Sequence, residues 1–167
     1  HEIESNFREK KPIPVMNRLQ MMGVLEQVWP GLAWEGTAVK TVRRIPAVTT
    51  EPLWAPIWAA TAPEFVCFAL WMRSLPEKVR DGAMTRLKVR KDTLADVQRF
   101  CRMSTALAAL PQDAPPSAIA RLLRDAPLRS LLLCAIWEPS AHVAEWLKRF
   151  INEWRRQETA LDGHDLR

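Results

Sequence analysis

Glycine and tyrosine are scarce in this 167-residue chain, which contains five glycines and no tyrosine. The chain also lacks runs of alternating Val, Ile and Thr separated by turn dipeptides, the pattern of a β-sheet domain. No glycine-rich run precedes a Lys-Ser or Lys-Thr pair, so the phosphate-cradling loops of nucleotide-binding enzymes are missing. These absences predict an all-α protein and exclude nucleotide binding through such loops.

Cysteine and histidine are also few, with three residues of each type. Cys67, Cys101 and Cys134 lie more than thirty positions apart in apolar segments, which excludes a close-set disulfide framework and a zinc knuckle. No histidine stands near them at metal-ligand spacing, so we expect core thiols rather than metal ligands or nucleophiles. This cysteine usage predicts a reducing, cytoplasmic location.

One His-Asp pair, His164 with Asp165, is of the kind that chelates metal in phosphohydrolases. Such a site needs further ligands, and only His1 and His142 remain among the histidines. No converging set of catalytic groups is found elsewhere. We therefore predict no metal site and no catalytic residue in this chain.

Long apolar runs are missing as well. The longest apolar stretch, residues 52–72, is interrupted by Glu64, Pro56 and Pro63, so it is a poor membrane-spanning helix. No basic segment followed by an apolar one opens the chain, so we expect no secretion signal. With 48% hydrophobic and 26% charged residues, the composition is that of one soluble globular domain. The chain opens at His1 in mid-pattern, which we interpret as a segment of a longer polypeptide.

Arginine and lysine are concentrated in one part of the chain. Residues 73–102 contain nine cations and four anions, an excess of five that equals the formal net charge of the whole protein. Such a concentration is expected of a protein that binds a polyanion, for example nucleic acid. The other interpretation is a solvated face that only keeps the protein soluble.

Helical periodicity dominates and predicts a bundle of roughly seven to nine helices without a significant sheet. We divide the chain into neck-like helices at 1–34, an irregular linker at 35–62, a helical body at 63–160 and the start of a tail at 161–167. Within the body, residues 65–72 are apolar nearly all round, which predicts the centre of the core.

Two local patterns make finer predictions. In the linker, Val39, Val42 and Ile45 indicate one short helix that Pro46 ends. In the body, the residues 74–77 (Ser-Leu-Pro-Glu) have the spacing of a capping box, in which the Ser side chain begins a helix.

Eight tryptophans are present, and tryptophan stacks on unpaired bases in many proteins that bind single strands. Those in apolar helical patterns, which are better explained by core packing, are Trp71, Trp137, Trp146 and Trp154. Trp54 and Trp58, set among prolines, are candidates for an exposed position.

Several stretches together resemble the carboxyl-terminal helical region of bacterial tRNA nucleotidyltransferases and poly(A) polymerases of the CCA-adding class. The resembling stretches are Ile3 and Phe7, then Pro14, Met16 and Leu19, residues 22–25 (Met-Gly-Val-Leu), 29–34 (Trp-Pro-Gly-Leu-Ala-Trp), 69–71 (Ala-Leu-Trp), 75–77 (Leu-Pro-Glu), 86–89 (Arg-Leu-Lys-Val) and 160–166 (Ala-Leu-Asp-Gly-His-Asp-Leu). The last stretch is the most specific, because it resembles the family's signature where the body passes into the tail.

The resemblance implies a parent protein that transfers CMP and AMP, or AMP alone, to an RNA 3′ end. The carboxylates, Mg²⁺ and ATP or CTP of that reaction belong to an amino-terminal head domain with a paired-aspartate motif on a β-sheet. Nothing in this chain matches that motif. The resemblance therefore implies that the chain alone is inactive, holds no cofactor of its own and positions RNA for a head domain outside it.

We predict a cytoplasmic RNA-binding segment that contacts the phosphate backbone of tRNA or of another RNA, with no membrane partner. The predicted RNA-binding residues are Arg80, Arg86, Lys88, Arg90, Lys91, Arg99 and Arg102. Two other hypotheses remain open: a helical scaffold or protein-interaction module, and a polymerase relative that has lost its activity.

Overall fold

The computed structural model describes residues 6–9, 11–34 and 36–156, and within these ranges the chain is helical without any strand. The all-α prediction is confirmed. The α-helices are α1 (Pro12–Met21), α2 (Val24–Val28), α3 (Thr37–Val42), α4 (Ile45–Thr49), α5 (Ala55–Ala59), α6 (Pro63–Ser74), α7 (Glu77–Arg86), α8 (Lys91–Ala109), α9 (Pro116–Leu123), α10 (Leu128–Trp137) and α11 (Ala141–Asn152). No helix of the described ranges is both long and apolar enough to cross a membrane.

Proline marks where many of these helices begin. It occupies the first or second position of α1, α4, α5, α6 and α9. The N–H at that position has no partner inside the helix, and the fixed proline φ suits the first turn. Pro46 is therefore the second residue of α4, in its first turn, whereas the sequence predicted that it ends a helix.

The segment predicted as a linker with one short helix contains three, α3 to α5. Each has five or six residues, too few turns for a hydrophobic period to show in the sequence. Their packing fixes them instead, since α3 contributes three buried residues and packs on α6.

The capping box predicted at 74–77 is wrong. Ser74 is the last residue of α6, and its hydroxyl donates to the Trp71 carbonyl oxygen at 2.6 Å. Helix α7 begins at Glu77 behind Pro76, without a side-chain cap. Because proline disfavours helical backbone at the residue before it, Leu75 is extended and the break falls there.

Helix α6 lies at the centre of the core. Seven consecutive residues, 66–72, are buried, and helices α3, α8 and α10 surround them. Helix α10 is buried over residues 130–136. Helix α6 was predicted to be buried because its apolar residues continue nearly all round, and this is confirmed.

Aromatic rings join the amino-terminal part to this core. The rings of Phe7, Trp34 and Trp71 contact one another with centroids 5.7 to 6.0 Å apart. The indole N–H of Trp71 donates to the Ala33 carbonyl oxygen at 2.7 Å, and that of Trp34 donates to Asn17 at 3.1 Å. Both buried indoles are thus satisfied, as burial requires.

Arg44 anchors the short helices to α10. Its guanidinium donates to the carbonyl oxygens of Trp137 at 3.0 Å and Glu138 at 3.3 Å. Carbonyls at a helix end have no partner within the helix, so the arginine caps α10. Partial burial lowers the pKa of Arg44, opposed by the nearby charge of Glu138.

Residues 160–166, the most specific resembling stretch, lie outside the described residues. The same holds for His1 and for the pair His164 and Asp165.

The ring of Trp29 packs so close to α7 that position 82 must be glycine. A Cβ atom built there would overlap the ring of Trp29, with the indole nitrogen at 2.8 Å. We predict that Gly82→Ala destabilises the protein by about 1–2 kcal/mol, because the overlap outweighs the gain of about 1 kcal/mol in helix propensity. In a Trp29→Ala background the same change should become stabilising. Urea unfolding of the unsubstituted protein, the two single variants and the double variant measures this double-mutant cycle. A stabilising effect of Gly82→Ala in the unsubstituted protein would contradict the prediction.

Candidate nucleic-acid interface

Four of the predicted cations lie around the turn between α7 and α8. Arg86 is the last residue of α7, Lys88 and Arg90 are in the connection, and Lys91 is the first residue of α8. All four are exposed. We call these four residues the basic junction.

A Schellman motif shapes the turn that carries this junction. The Val89 N–H donates to the Met84 carbonyl oxygen and the Lys88 N–H to that of Thr85, both at 3.1 Å. This pattern closes a helix when the residue after the cap adopts the left-handed conformation, a position usually taken by glycine. Here that residue is Lys88, with φ of 51°.

Lys88 is the one non-glycine residue with positive φ in the described part of the chain. A side chain in this conformation costs roughly 1–2 kcal/mol, because Cβ crowds the following carbonyl oxygen. The positive charge recovers part of that cost beside the carboxyl end of α7. The sequence thus keeps a lysine where glycine would fit the backbone better.

The helix dipole also disfavours the cations on the α8 side of the turn. Arg90 and Lys91 lie at the amino end of α8, where the helix dipole favours negative charge. Asp92 offsets this, since it bonds Arg90 at 2.8 Å and accepts the Thr93 N–H at 2.9 Å. That N–H bond and the charge of Arg90 hold the pKa of Asp92 below its ordinary value. The junction retains an excess of positive charge after this pairing.

Arg80 is not part of the basic junction. Its side chain is only 11% exposed and pairs with Asp81 at 3.1 Å and Glu77 at 4.0 Å. Arg73, another cation of the segment, donates to Ser104 at 2.7 Å and lies 4.8 Å from the centre of the Trp137 ring. Arg73 therefore links α6 to α8 and Arg80 is paired within α7, so part of the charge excess seen in the sequence is structural.

Arg99 and Arg102 lie further along α8. Their positions relative to Lys91 place all three on the outer face of the helix, opposite the buried face that contains Phe100. At about 1.5 Å per residue, Arg102 is about 16 Å from Lys91 along the axis. The predicted residues therefore form a junction at one end of α8 and a separate pair near its middle.

A nearly buried carboxylate holds Arg99. Asp96 is 10% exposed and contacts Arg129 at 2.6 Å and Arg99 at 3.6 Å. Arg129, from α10, also lies 5.9 Å from the centre of the Phe65 ring. Sequence reasoning missed Arg129, because its link to Asp96 arises from helix packing and leaves no local pattern.

The tryptophans offer little stacking surface near these cations. Trp71 and Trp146 are buried as predicted, whereas Trp137 and Trp154 are half-buried. Trp54 is only 2% exposed, against the expectation for a residue set among prolines. The residues 86–91 contain no aromatic side chain at all.

All three cysteines are free and buried, as predicted. Burial raises the pKa of the Cys67 thiol to about 12, with a smaller effect from Glu64, and burial also raises that of Cys134. Among the described residues, no group of three or more His, Cys, Asp and Glu side chains could hold a metal ion.

We predict that Lys88→Gly raises the free energy of unfolding by about 0.5–1 kcal/mol, because it removes the left-handed strain and sacrifices only part of a helix-end charge interaction. Lys78→Gly is the matched control, since Lys78 is an exposed lysine with helical backbone in α7. That change should destabilise by about 1 kcal/mol. Urea unfolding measures both, and equal destabilisation would contradict the assignment of strain to Lys88.

We also predict that Cys67 and Cys134 resist thiol reagents in the folded protein. With a pKa of about 12, Cys67 has roughly one thiolate in ten thousand at pH 8, and burial blocks access. Titration with a chromogenic disulfide reagent should detect all three thiols only after denaturation. Fast native reaction of either residue would refute the core-thiol assignment.

Comparison with protein-family models, curated proteins and solved structures found no match to this chain. The interpretation of the basic junction therefore depends on its own geometry and charge.

Proposed function

We propose that this chain binds RNA through the basic junction, with tRNA the expected substrate. The interaction is with the phosphate backbone, because arginine and lysine side chains meet phosphate oxygens without reading sequence. Arg86, Lys88, Arg90 and Lys91 would form the first contact surface, and all four are exposed.

The observation that carries the proposal is the conformation of Lys88. A cation that only keeps a protein soluble has no reason to occupy a left-handed position at the centre of a cationic turn. Arg90 and Lys91 add charge at a helix end where the dipole opposes it. Local stability is thus lowered at Lys88, Arg90 and Lys91, and this favours a function in which a ligand binds these cations.

The proposal assigns no base recognition to the junction. Residues 86–91 contain no aromatic side chain for stacking, and the two apolar residues between the cations, Leu87 and Val89, are half-buried. We therefore expect a steep dependence of affinity on salt and little dependence on RNA sequence.

The resemblance to tRNA nucleotidyltransferases suggests a role for this RNA binding. In a parent protein like the tRNA nucleotidyltransferases, this domain would hold the RNA while its 3′ end reaches a separate head domain. The Mg²⁺ ions and the ATP or CTP would belong to that head. Whether the parent adds CCA or A alone follows from the head and not from this chain.

A second candidate function is protein binding. A groove of about 860 Å³ lies between α5, α6, α8, the start of α10 and the end of α11, and its lining is mostly apolar but includes Asp92, Asp96 and Arg129. Leu128 on its wall is 40% exposed, unusual for a large aliphatic residue here. This groove is the specific feature that favours an interaction module.

We predict that charge reversal in the basic junction weakens RNA binding strongly. The test variant combines Arg86→Glu, Lys88→Glu and Arg90→Glu, with tRNA binding measured by fluorescence anisotropy at several salt concentrations. For each phosphate that the variant no longer neutralises, the slope of log affinity against log salt should become shallower by roughly 0.7 to 0.9. If all three cations contact phosphates in the unsubstituted protein, affinity at 0.1 M salt should fall by roughly 100- to 500-fold.

The matched control combines Arg18→Glu, Lys40→Glu and Arg43→Glu. These residues are also two arginines and a lysine, on α1 and around α3 and away from the basic junction. The control should retain most of the affinity, and circular dichroism should show both variants to be helical. Equal reductions in the two variants, or no binding by the parent at low salt, would favour the solvated-face or protein-binding alternatives.

A further inference from the structure

A small cleft between α8 and α9 brings together three arginines from two separate parts of the sequence. Its volume is about 300 Å³, and its charged residues are Arg99, Arg102, Arg121 and Asp125. Apolar residues such as Met103 and Ala126, both buried, form the floor. We call this the three-arginine cleft.

Helix packing creates the cleft. Arg99 and Arg102 are three positions apart on α8 and share one side of that helix, whereas Arg121 is on α9 and Asp125 lies just after its end. The contact between α8 and α9 then sets the two pairs face to face. No sequence pattern relates Arg121 to the other two arginines.

The charge in the cleft is not balanced. Three arginines face one carboxylate, and none of them forms an ion pair with Asp125. Arg102 and Arg121 have no ion-pair partner among the described residues, and both are exposed. A compact anion would therefore find unpaired guanidinium groups on both walls.

Asp96 positions one of these groups. It contacts Arg99 at 3.6 Å while Arg129 contacts its other oxygen at 2.6 Å. A carboxylate shared by two arginines leaves a net positive charge, and the 45% exposure of the Arg99 side chain leaves part of its guanidinium open to solvent. Arg99 is thus oriented before any ligand arrives, which reduces the entropic cost of binding.

We infer that the three-arginine cleft binds one backbone phosphate of an RNA that also contacts the basic junction. Planar guanidinium groups pair with phosphate oxygens two at a time, and Arg102 and Arg121 present such groups from the two walls of the cleft. This inference rests on the proposed RNA binding and extends it along α8. The RNA would then meet the protein at two places about 16 Å apart along the helix axis.

The test variant is Arg102→Gln with Arg121→Gln, which removes charge and keeps helix-forming side chains. Removal of one phosphate contact should lower tRNA affinity by about five- to eightfold at 0.1 M salt and reduce the salt slope by roughly 0.7 to 0.9. The matched control, Arg18→Gln with Arg43→Gln, removes two exposed arginines elsewhere and should change neither quantity. Circular dichroism and thermal unfolding verify the fold of each variant.

Asp125→Asn provides a test in the opposite direction. It removes the one carboxylate that lines the cleft, so tRNA affinity should rise by roughly two- to fivefold. This variant keeps every arginine, and its result stands even if the double variant fails to fold. Unchanged or lower affinity in a folded Asp125→Asn protein would count against the inference.

The outcomes separate the two proposals. If the junction variant binds tRNA weakly while the Arg102 and Arg121 variant binds normally, the cleft inference is overturned and the proposed function stands. If the parent binds no tRNA at low salt, both are overturned. A third measurement uses inorganic phosphate. Suppose that phosphate raises the melting temperature of the unsubstituted protein but not that of the double variant, while both proteins bind tRNA with the same affinity. The cleft then binds free phosphate, and the RNA assignment is overturned.

Discussion

The arrangement of the whole bundle follows from the burial of α6 on every side. Seven consecutive residues of this helix are withdrawn from water, so other elements must cover its full circumference. Helices α3, α8 and α10 and the turn at Asn6–Arg8 do so. Helix α8 has an apolar side fixed by that contact, which leaves its opposite side for charge. The cations of α8 lie outside because residues such as Phe100 must lie inside.

The packing of α6 against α8 explains why the cations of residues 73–102 fall into two groups with different roles. Arg73 of α6 donates to Ser104 of α8, and Arg80 pairs with Glu77 and Asp81 of its own helix, so both cations stabilise the fold. Beyond that contact the chain turns through Lys88, whose left-handed backbone costs energy that a glycine would avoid. Lys88 is exposed and strained, whereas Arg73 and Arg80 are paired inside the fold. This contrast distinguishes cations that stabilise the fold from cations that are available to a ligand.

Much of the fold was predictable from the sequence, because long helices repeat their pattern several times. Residues 65–72 predicted a buried helix from composition alone, and the charge pattern located the segment that contains the basic junction. The short helices, the Ser74 capping box and the exposure of Trp54 were not predicted correctly, since each depends on which surface packs nearby. Arg129 and Arg121 were missed for the same reason: their partners lie on another helix.

Helix α8 connects the two cationic places and keeps their separation constant. It is a single helix of 19 residues, so Lys91 and Arg102 cannot change their spacing without breaking backbone hydrogen bonds. Asp96 adds to this rigidity, because it ties the middle of α8 to Arg129 of α10. Under the proposed function, two phosphate contacts at this fixed spacing would recognise the path of an RNA backbone, which depends on RNA shape rather than on sequence. Such a domain would then hold many RNAs of one shape equally well.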